Sequence, residues 1–584
     1  MRRSTDALLV GGTVFASVAI FVAAFLAWAA GALSPGVGIA SLAVGIAAGG
    51  YAASVIPRDS RGTGPEGSAG RAMADPSALG STGAPQDDGA LGVLALLAFA
   101  AVAVRQFGWI VFERDGALLT LLPYNFGDLP LHWTYVSHLA GGAPFWPENP
   151  ILTGERLRYP FGVDLLTAVL VQLGASLAAL LPVMGLAGSA LAALALRRWG
   201  GALAVAGFLF SGGLAGFQVL WTGRVVDYQA AVDWKNLFLA LFVPQRGYLV
   251  ALPVGLLLLW SWRRRLLRGE DGLPPWVEGL LWGVLPLVHL HTFLFVSLVV
   301  AVWAVGGGRL RAARPALAWA VLPATWSVWQ VTDGFRAASL VGWRPGWTIG
   351  HRDPLVFLLV NFGLFLPLAA LAFARAVRER RREELLVLGP ALGVFVALFL
   401  VRLAPWEWDN TKVMLWSYVV ALVPIGSLVL SRVARPWQTA LVAGLLFSGA
   451  VSVLGASLGR GPRLEVLDLG EQEGVCRALA SLHTSRVATA PTFNHPVALC
   501  GRPVVAGYPG HLWSHGLDAR GVEARLSRLM RGEPGWREDA RALGASHVFW
   551  GPRERQAFAA STQPWAAAAP PLALGPWGAI YALE

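Results

Sequence analysis

Apolar runs of roughly 16 to 25 residues, each about long enough to cross a hydrocarbon core as a helix, recur from Leu8 to Leu454. They predict spans at Leu8 to Leu33, Val37 to Ile56 and Leu91 to Phe112, then one net crossing in 165 to 196, as a surface helix plus a span broken near Pro182. Further spans are predicted at Ala202 to Phe217 and Tyr248 to Trp262. Between Trp276 and Val305 the apolar pattern is interrupted by Pro286, His289 and His291, with arginines on both sides, which predicts two half-spans meeting near the histidines. Five more runs follow: Ala316 to Gln330, Leu355 to Phe373, Leu385 to Leu403, Val413 to Leu430 and Trp437 to Leu454. The pattern therefore predicts an all-α polytopic membrane bundle of about 13 spans.

Two segments break this texture. Residues 57 to 90 are rich in Gly, Ser, Pro and Asp without apolar periodicity, which predicts a disordered cytoplasmic loop between the two N-terminal helices (1 to 56) and the main bundle (91 to 458). From 459 to 584 charged residues and turn signals return. There, 486 to 490, 502 to 508 and 546 to 551 read as strands, while Glu471 to Leu482, Val522 to Met530 and Trp536 to Leu543 read as helices. This predicts a small α/β extracytoplasmic domain.

Composition agrees with the pattern: 55% of the 584 residues are hydrophobic and 14% charged. The net charge of +11 comes from arginine clusters flanking apolar runs, such as Arg263 to Arg268 and Arg375 to Arg382. That is the positive-inside signature, which places the N-terminus inside and the C-terminal domain outside. No nucleic-acid-reading motif accompanies the charge, so a nucleic-acid partner is not expected. The apolar run after Arg2 and Arg3 exceeds a signal-peptide core and is read as a retained helix. Cys476 and Cys500 both lie beyond the last span, where either a disulfide or two free thiols fit.

Candidate chemistry concentrates between Tyr124 and Asp164, in an external loop spanning 113 to 164. Asp128 and His132 are four residues apart and would share a helix face. A carboxylate there could serve as a general base; it could equally cap a helix that begins at Leu129-Pro130. Glu148 and Asp164 are further acids of the same loop and candidates for substrate binding. Arg246 and Lys412 fall at external ends of spans, where a cation could hold a phosphodiester leaving group or simply snorkel to the interface. Asp409 could pair with Lys412 or ligate a divalent cation, although this loop offers fewer oxygens than a hard cation usually takes. His289 and His291 are ionisable groups in apolar surroundings and suit a hydrogen-bonding role in substrate binding; their spacing of two does not favour a shared metal. His511 and His515 sit in a Gly- and Pro-containing loop that suits a lid or docking surface. No metal site and no firm cofactor are expected. Hydrolase, zincin, ATPase and dinucleotide fingerprints are absent.

The run from Gly127 to Gly162, with VPQRGY at 243 to 248, PLVHLHTF at 286 to 293, WEWDNTK at 406 to 412 and GYPGHLWSHG at 507 to 516, resembles the glycosyltransferase-C superfamily, in particular a bacterial branch of polytopic membrane proteins. The resemblance extends over nearly the whole chain from Leu91 onward. It implies transfer of a sugar from a polyprenyl-phosphate donor to an envelope acceptor at the outer face of the inner membrane, with inversion at the anomeric carbon. It also implies that Asp128 is the catalytic acidic residue of the first external loop. Many members carry a second acid next to the first or two residues away; here the neighbours are Gly127 and Leu129. Two other classes remain alongside: a transporter or flippase of a lipid-linked or anionic substrate, and a non-catalytic assembly factor for envelope polysaccharide.

Overall fold

The computed structural model describes residues 2–56, 89–337, 340–482 and 486–583, so most of the predicted 57 to 90 loop lies outside the described residues. The chain is mainly helical. Two N-terminal helices, α1 (Arg2–Ala30) and α2 (Pro35–Ser54), pack as a hairpin in which a Cβ on Gly49 would come within 2.5 Å of the Gly11 carbonyl oxygen. Close backbone approach through small residues is how helices associate where lipid removes the hydrophobic drive. The helix α3 (Gly89–Phe107) leads into a hairpin of β1 (Phe112–Arg114) and β2 (Ala117–Thr120), then α4 (Asn125–Ala140), α5 (Gly162–Gln172) and α6 (Leu177–Leu209). A single turn, α7 (Val219–Thr222), precedes α8 (Tyr248–Trp262), which is buried on nearly every side and lies at the centre of the bundle.

After it come α9 (Pro275–Val288), α10 (Leu290–Gly306), α11 (Leu310–Val331), the short strand β3 (Gly342–Trp343), α12 (Pro354–Phe362), α13 (Phe365–Arg378), α14 (Arg382–Ala397) and β4 (Val401–Arg402). The chain then enters α15 (Thr411–Leu428) and α16 (Arg435–Ser457). Among the described residues, six helices are long and apolar enough to cross a membrane, or seven if α12 and α13, bent by 92° at their junction, count as one. The predicted count of about 13 is not reached. Several apolar runs instead form short helices, of 11 residues in α5, 14 in α9 and 17 in α10.

Other expectations shift as well. The chain breaks between α5 and α6 at Gly174 (φ +97°), not at Pro182, which lies inside the second turn of α6. Helix α6 runs on past Arg197 and Arg198 and kinks at Gly200 and Gly201. The break predicted near the histidines falls at His289, whose extended backbone ends α9 and whose ring accepts from the Thr292 amide to cap α10. The segment 218 to 247 is only partly an outer loop. Trp234 and Phe238 to Phe242 are buried, because Asn236 donates to the Leu209 and Ser211 carbonyls (2.9 and 3.0 Å) and Asn361 accepts from the Trp234 amide (2.8 Å). These side chains satisfy irregular backbone that lipid could not.

Beyond α16 come β5 (Leu464–Asp468), α17 (Leu469–Ala480), β6 (Val487–Ala488), the short helices α18 (Pro496–Leu499) and α19 (Pro509–Ser514), α20 (Arg520–Arg531), α21 (Trp536–Ala542), β7 (His547–Trp550), α22 (Pro552–Ala557), α23 (Pro564–Ala568), β8 (Ala573–Gly575) and β9 (Gly578–Ala582). The tail sheet runs β6-β7-β9-β8, with β6 and β7 parallel and the remaining pairs antiparallel. The expected strand at 502 to 508 is reduced to a ribbon. Val504 makes one bridge to Val487, while its amide donates to the Pro150 carbonyl of the loop on the other side (2.9 Å). Strand β5 does not join the tail sheet; it pairs antiparallel with β2. Cys476 and Cys500 form a disulfide that ties α17 to the turn after α18.

The bundle is polar end to end. Lys412 lies in the first turn of α15, on the side of the tail, and about 24 Å further along the helix the Leu428 carbonyl accepts from Arg375 (2.7 Å). At that far end Glu383 pairs with Arg263 and Arg268, each at 2.7 Å.

Candidate functional site

Helix α4 begins at Asn125, so Asp128 lies within its first turn and not at its cap. The capping reading therefore fails: the position before the helix is Tyr124, whose hydroxyl donates instead to Asp227 (2.7 Å). Asp128 is half-buried, and His132 follows one turn later on the same face. Burial pushes the Asp128 carboxyl above its ordinary value; the neighbouring charges of His132 and Lys412 oppose that shift, and Asp409 adds to it. A carboxylate whose proton affinity is raised beside an ammonium is equipped to accept a proton from a hydroxyl or amine.

His132 is fixed from behind. Its Nδ1 lies 2.8 Å from Asp164 Oδ2, and Asp164 Oδ1 is 3.1 Å from Arg246 Nε. Arg246 also donates to Thr167 Oγ1 at 2.6 Å. Asp164 and Arg246 are 1% and 5% exposed and paired with each other. The structure thus places these two substrate-binding candidates behind His132, where their buried ion pair positions the imidazole. Asp164 sets the imidazole's orientation in the manner of a base's third partner.

Lys412 is the other cation expected here. Its ammonium is partly exposed and 3.0 Å from Asp409, one turn earlier in the chain. The Lys412 carbonyl accepts from the Tyr248 hydroxyl (2.6 Å), and the Tyr248 ring packs against His289 at 4.2 Å between centroids. His291 lies 5.5 Å from His289 and is half-buried. His289 is spent on Thr292, whose hydroxyl is 2.8 Å from its Nδ1 and also accepts from Trp416 (3.1 Å). The structure thus gathers Asp128, His132, Asp164, Arg246, His289, His291, Asp409 and Lys412 from four distant parts of the chain. Glu148 stands apart: its side chain is largely exposed and paired with Arg486 of the tail (2.9 Å). Among the described residues no group of three or more His, Cys, Asp or Glu is arranged to hold a metal ion.

Residues from the tail complete the cluster. His511 meets the Gly127 backbone, and a Cβ on Gly127 would lie 3.9 Å from its Nε2. The His515 ring lies 5.0 Å from that of Tyr159, which in turn is 6.0 Å from His132. Burial pulls His511 down to about 4 and His515 to about 3, with the charge of His132 adding to both effects. Burial pushes the Tyr159 hydroxyl well above its usual value, with Asp164 and Asp128 reinforcing it. Tyr159 was not singled out by sequence; the sole signal was an aromatic in the same polar loop.

No protein-family model matches the chain, and no curated protein matches it. Among solved structures it aligns with the apo form of the Archaeoglobus fulgidus oligosaccharyltransferase, at 12% identity and a TM-score of 0.41, over 79% of this chain and 69% of that one. The same oligosaccharyltransferase tethered by a disulfide bond to an acceptor peptide containing the NVT sequon aligns at 12% identity and a TM-score of 0.40, over the same shares. Both are loose likenesses, and neither assigns a residue of this chain.

Proposed function

We propose that this chain is an integral membrane glycosyltransferase that moves a sugar from a polyprenyl-phosphate donor to an envelope acceptor, on the side of the membrane where the tail lies. The observation that supports it most is that half-buried Asp128, one turn before His132 on α4, feels the charge of the partly exposed Lys412 ammonium, which is itself paired with Asp409. In this reading Asp128 takes the proton from the acceptor as it attacks the anomeric carbon, and the glycosyl–oxygen bond to the phosphate breaks with its electron pair going to the phosphate. Lys412 stabilises that phosphate, where negative charge develops. His132, held by Asp164 and Arg246, lies one turn from Asp128 and sustains its charged form. Asp409 keeps the Lys412 ammonium in place. A bound divalent cation is not required by this scheme.

The test is transfer of radiolabelled sugar from a panel of polyprenyl-phosphate donors by membranes holding wild type or Asp128→Asn at equal protein levels. A general base contributes roughly 10²- to 10⁴-fold, so the variant should lose at least about two orders of magnitude. Undiminished transfer by the variant would remove Asp128 from the role of base. Transport of a lipid-linked substrate without transfer would favour the second reading, for which the helix break at His289 is the relevant feature.

A further inference from the structure

The two sides of the site differ in chemistry. On one side stand formal charges, Lys412 and Asp409 of the bundle and Asp128 of the loop. The tail contributes rings without formal charge at neutral pH: His511, His515 and, against them, Tyr159 of the loop. These rings are firmly placed. The segment before α19 is stitched to the loop by Gly507 N–H to the Ile151 carbonyl (2.8 Å) and by a bridge between Leu152 and Ala506. Leu512 is buried between the two histidines, and Gly516 ends the turn in the left-handed region (φ +71°). An aromatic run links the residue two before Asp128 to the tail histidine: Phe126 to Phe493 (4.7 Å), Phe493 to Tyr508 (6.1 Å) and Tyr508 to His511 (5.2 Å).

A neutral imidazole offers one N–H donor and one lone-pair acceptor, which suits a sugar hydroxyl and complements the charge of a phosphodiester less well than an ammonium does. Aromatic faces beside it suit the C–H edge of a pyranose. We propose that His515, with His511 and Tyr159, forms the sugar-ring wall of the site, so that the tail decides which sugar is accepted while the bundle binds the lipid phosphate. This rests on the glycosyltransferase reading and adds a specificity-determining role for His515.

The test is binding, measured on the purified full chain in lipid nanodiscs, of bare undecaprenyl phosphate and of undecaprenyl phosphate carrying glucose, galactose, mannose or arabinose. His515→Ala should weaken binding of the preferred sugar-bearing lipid by about tenfold, the worth of one good hydrogen bond, and change binding of the bare lipid less than about twofold. His515→Asn, which retains a donor and an acceptor, should recover part of the loss, and it carries the test if the alanine variant does not fold. Equal losses for bare and sugar-bearing lipid, or no loss for either, would overturn the sugar wall and leave the glycosyltransferase reading standing. A wild-type protein that binds neither lipid would overturn both.

Discussion

Asp128 and Asp164 belong to one cluster yet carry opposite energetic signs. Burial raises the folded-state proton affinity of Asp128, so its stabilising contribution is present below the ordinary carboxyl range and is lost as pH rises through its shifted value. Asp128→Asn should therefore melt at the same temperature as wild type or higher at pH 7.5, with the difference shrinking towards pH 4.5. Melting curves at the two pH values check this, and a variant that loses transfer while gaining stability is the expected pattern for an active-site acid. Asp164→Asn should instead melt below wild type. It leaves the Arg246 guanidinium buried and unpaired, which costs about 3 to 5 kcal/mol, and Asp164→Asn combined with Arg246→Met should recover much of that loss in a denaturant titration. Sequence spacing alone brought Asp128 and His132 onto one face. The burial of Arg246 was not legible, because a lone arginine at a span end looks the same whether it faces water or a carboxylate 82 positions earlier in the chain.

At the scale of elements, the least legible features are those that depend on backbone packed against backbone. Apolar runs identify helices but not whether 11 or 20 residues cross, and Gly174 outcompeted Pro182 as a breaker because only glycine is comfortable at a strongly positive φ. The tail's last hairpin, β8 with β9, escaped the reading because its strands are short and carry small residues. Helix α18 and the turn after it dock on α4, where Gly501 accepts at its carbonyl from His138 (3.0 Å) and a Cβ on Gly501 would lie 2.5 Å from Ser137 backbone. The Cys476–Cys500 disulfide holds that turn, closing a loop of sequence separation 24. Replacing both cysteines by alanine should destabilise the tail by about 3 kcal/mol and raise protease sensitivity of 496 to 502; limited proteolysis with mass spectrometry reads both. In cells the bond should be found intact, since such bonds persist in oxidising compartments.

For the whole molecule, the sequence made the membrane bundle and its polar loop legible, and it separated the 459 to 584 tail by texture. It did not disclose that loop and tail form one head over the bundle, because β2 meets β5 and Gly127 meets His511 across hundreds of residues. The two ends of α15 then predict sidedness. Single cysteines at Asp115 in the β1–β2 turn and at Asp518 in the tail should react with an impermeant maleimide from the same face, and one at Arg378 only from the other. Labelling of all three from one face would contradict the end-to-end arrangement.

The β2–β5 pairing also sets an order of assembly. Thr120 and its partner Leu464 are 344 positions apart, so at ordinary elongation rates of 5 to 20 residues per second the hairpin waits about 20 to 70 s for its third strand. Until then β2 offers unsatisfied amides and carbonyls to any passing chain, the situation that a helper protein at the insertion machinery exists to manage. A nascent polypeptide interrupted before β5 would carry every carboxylate of the cluster and still leave that edge open, which makes truncation products of this chain targets for aggregation or degradation rather than partly working proteins.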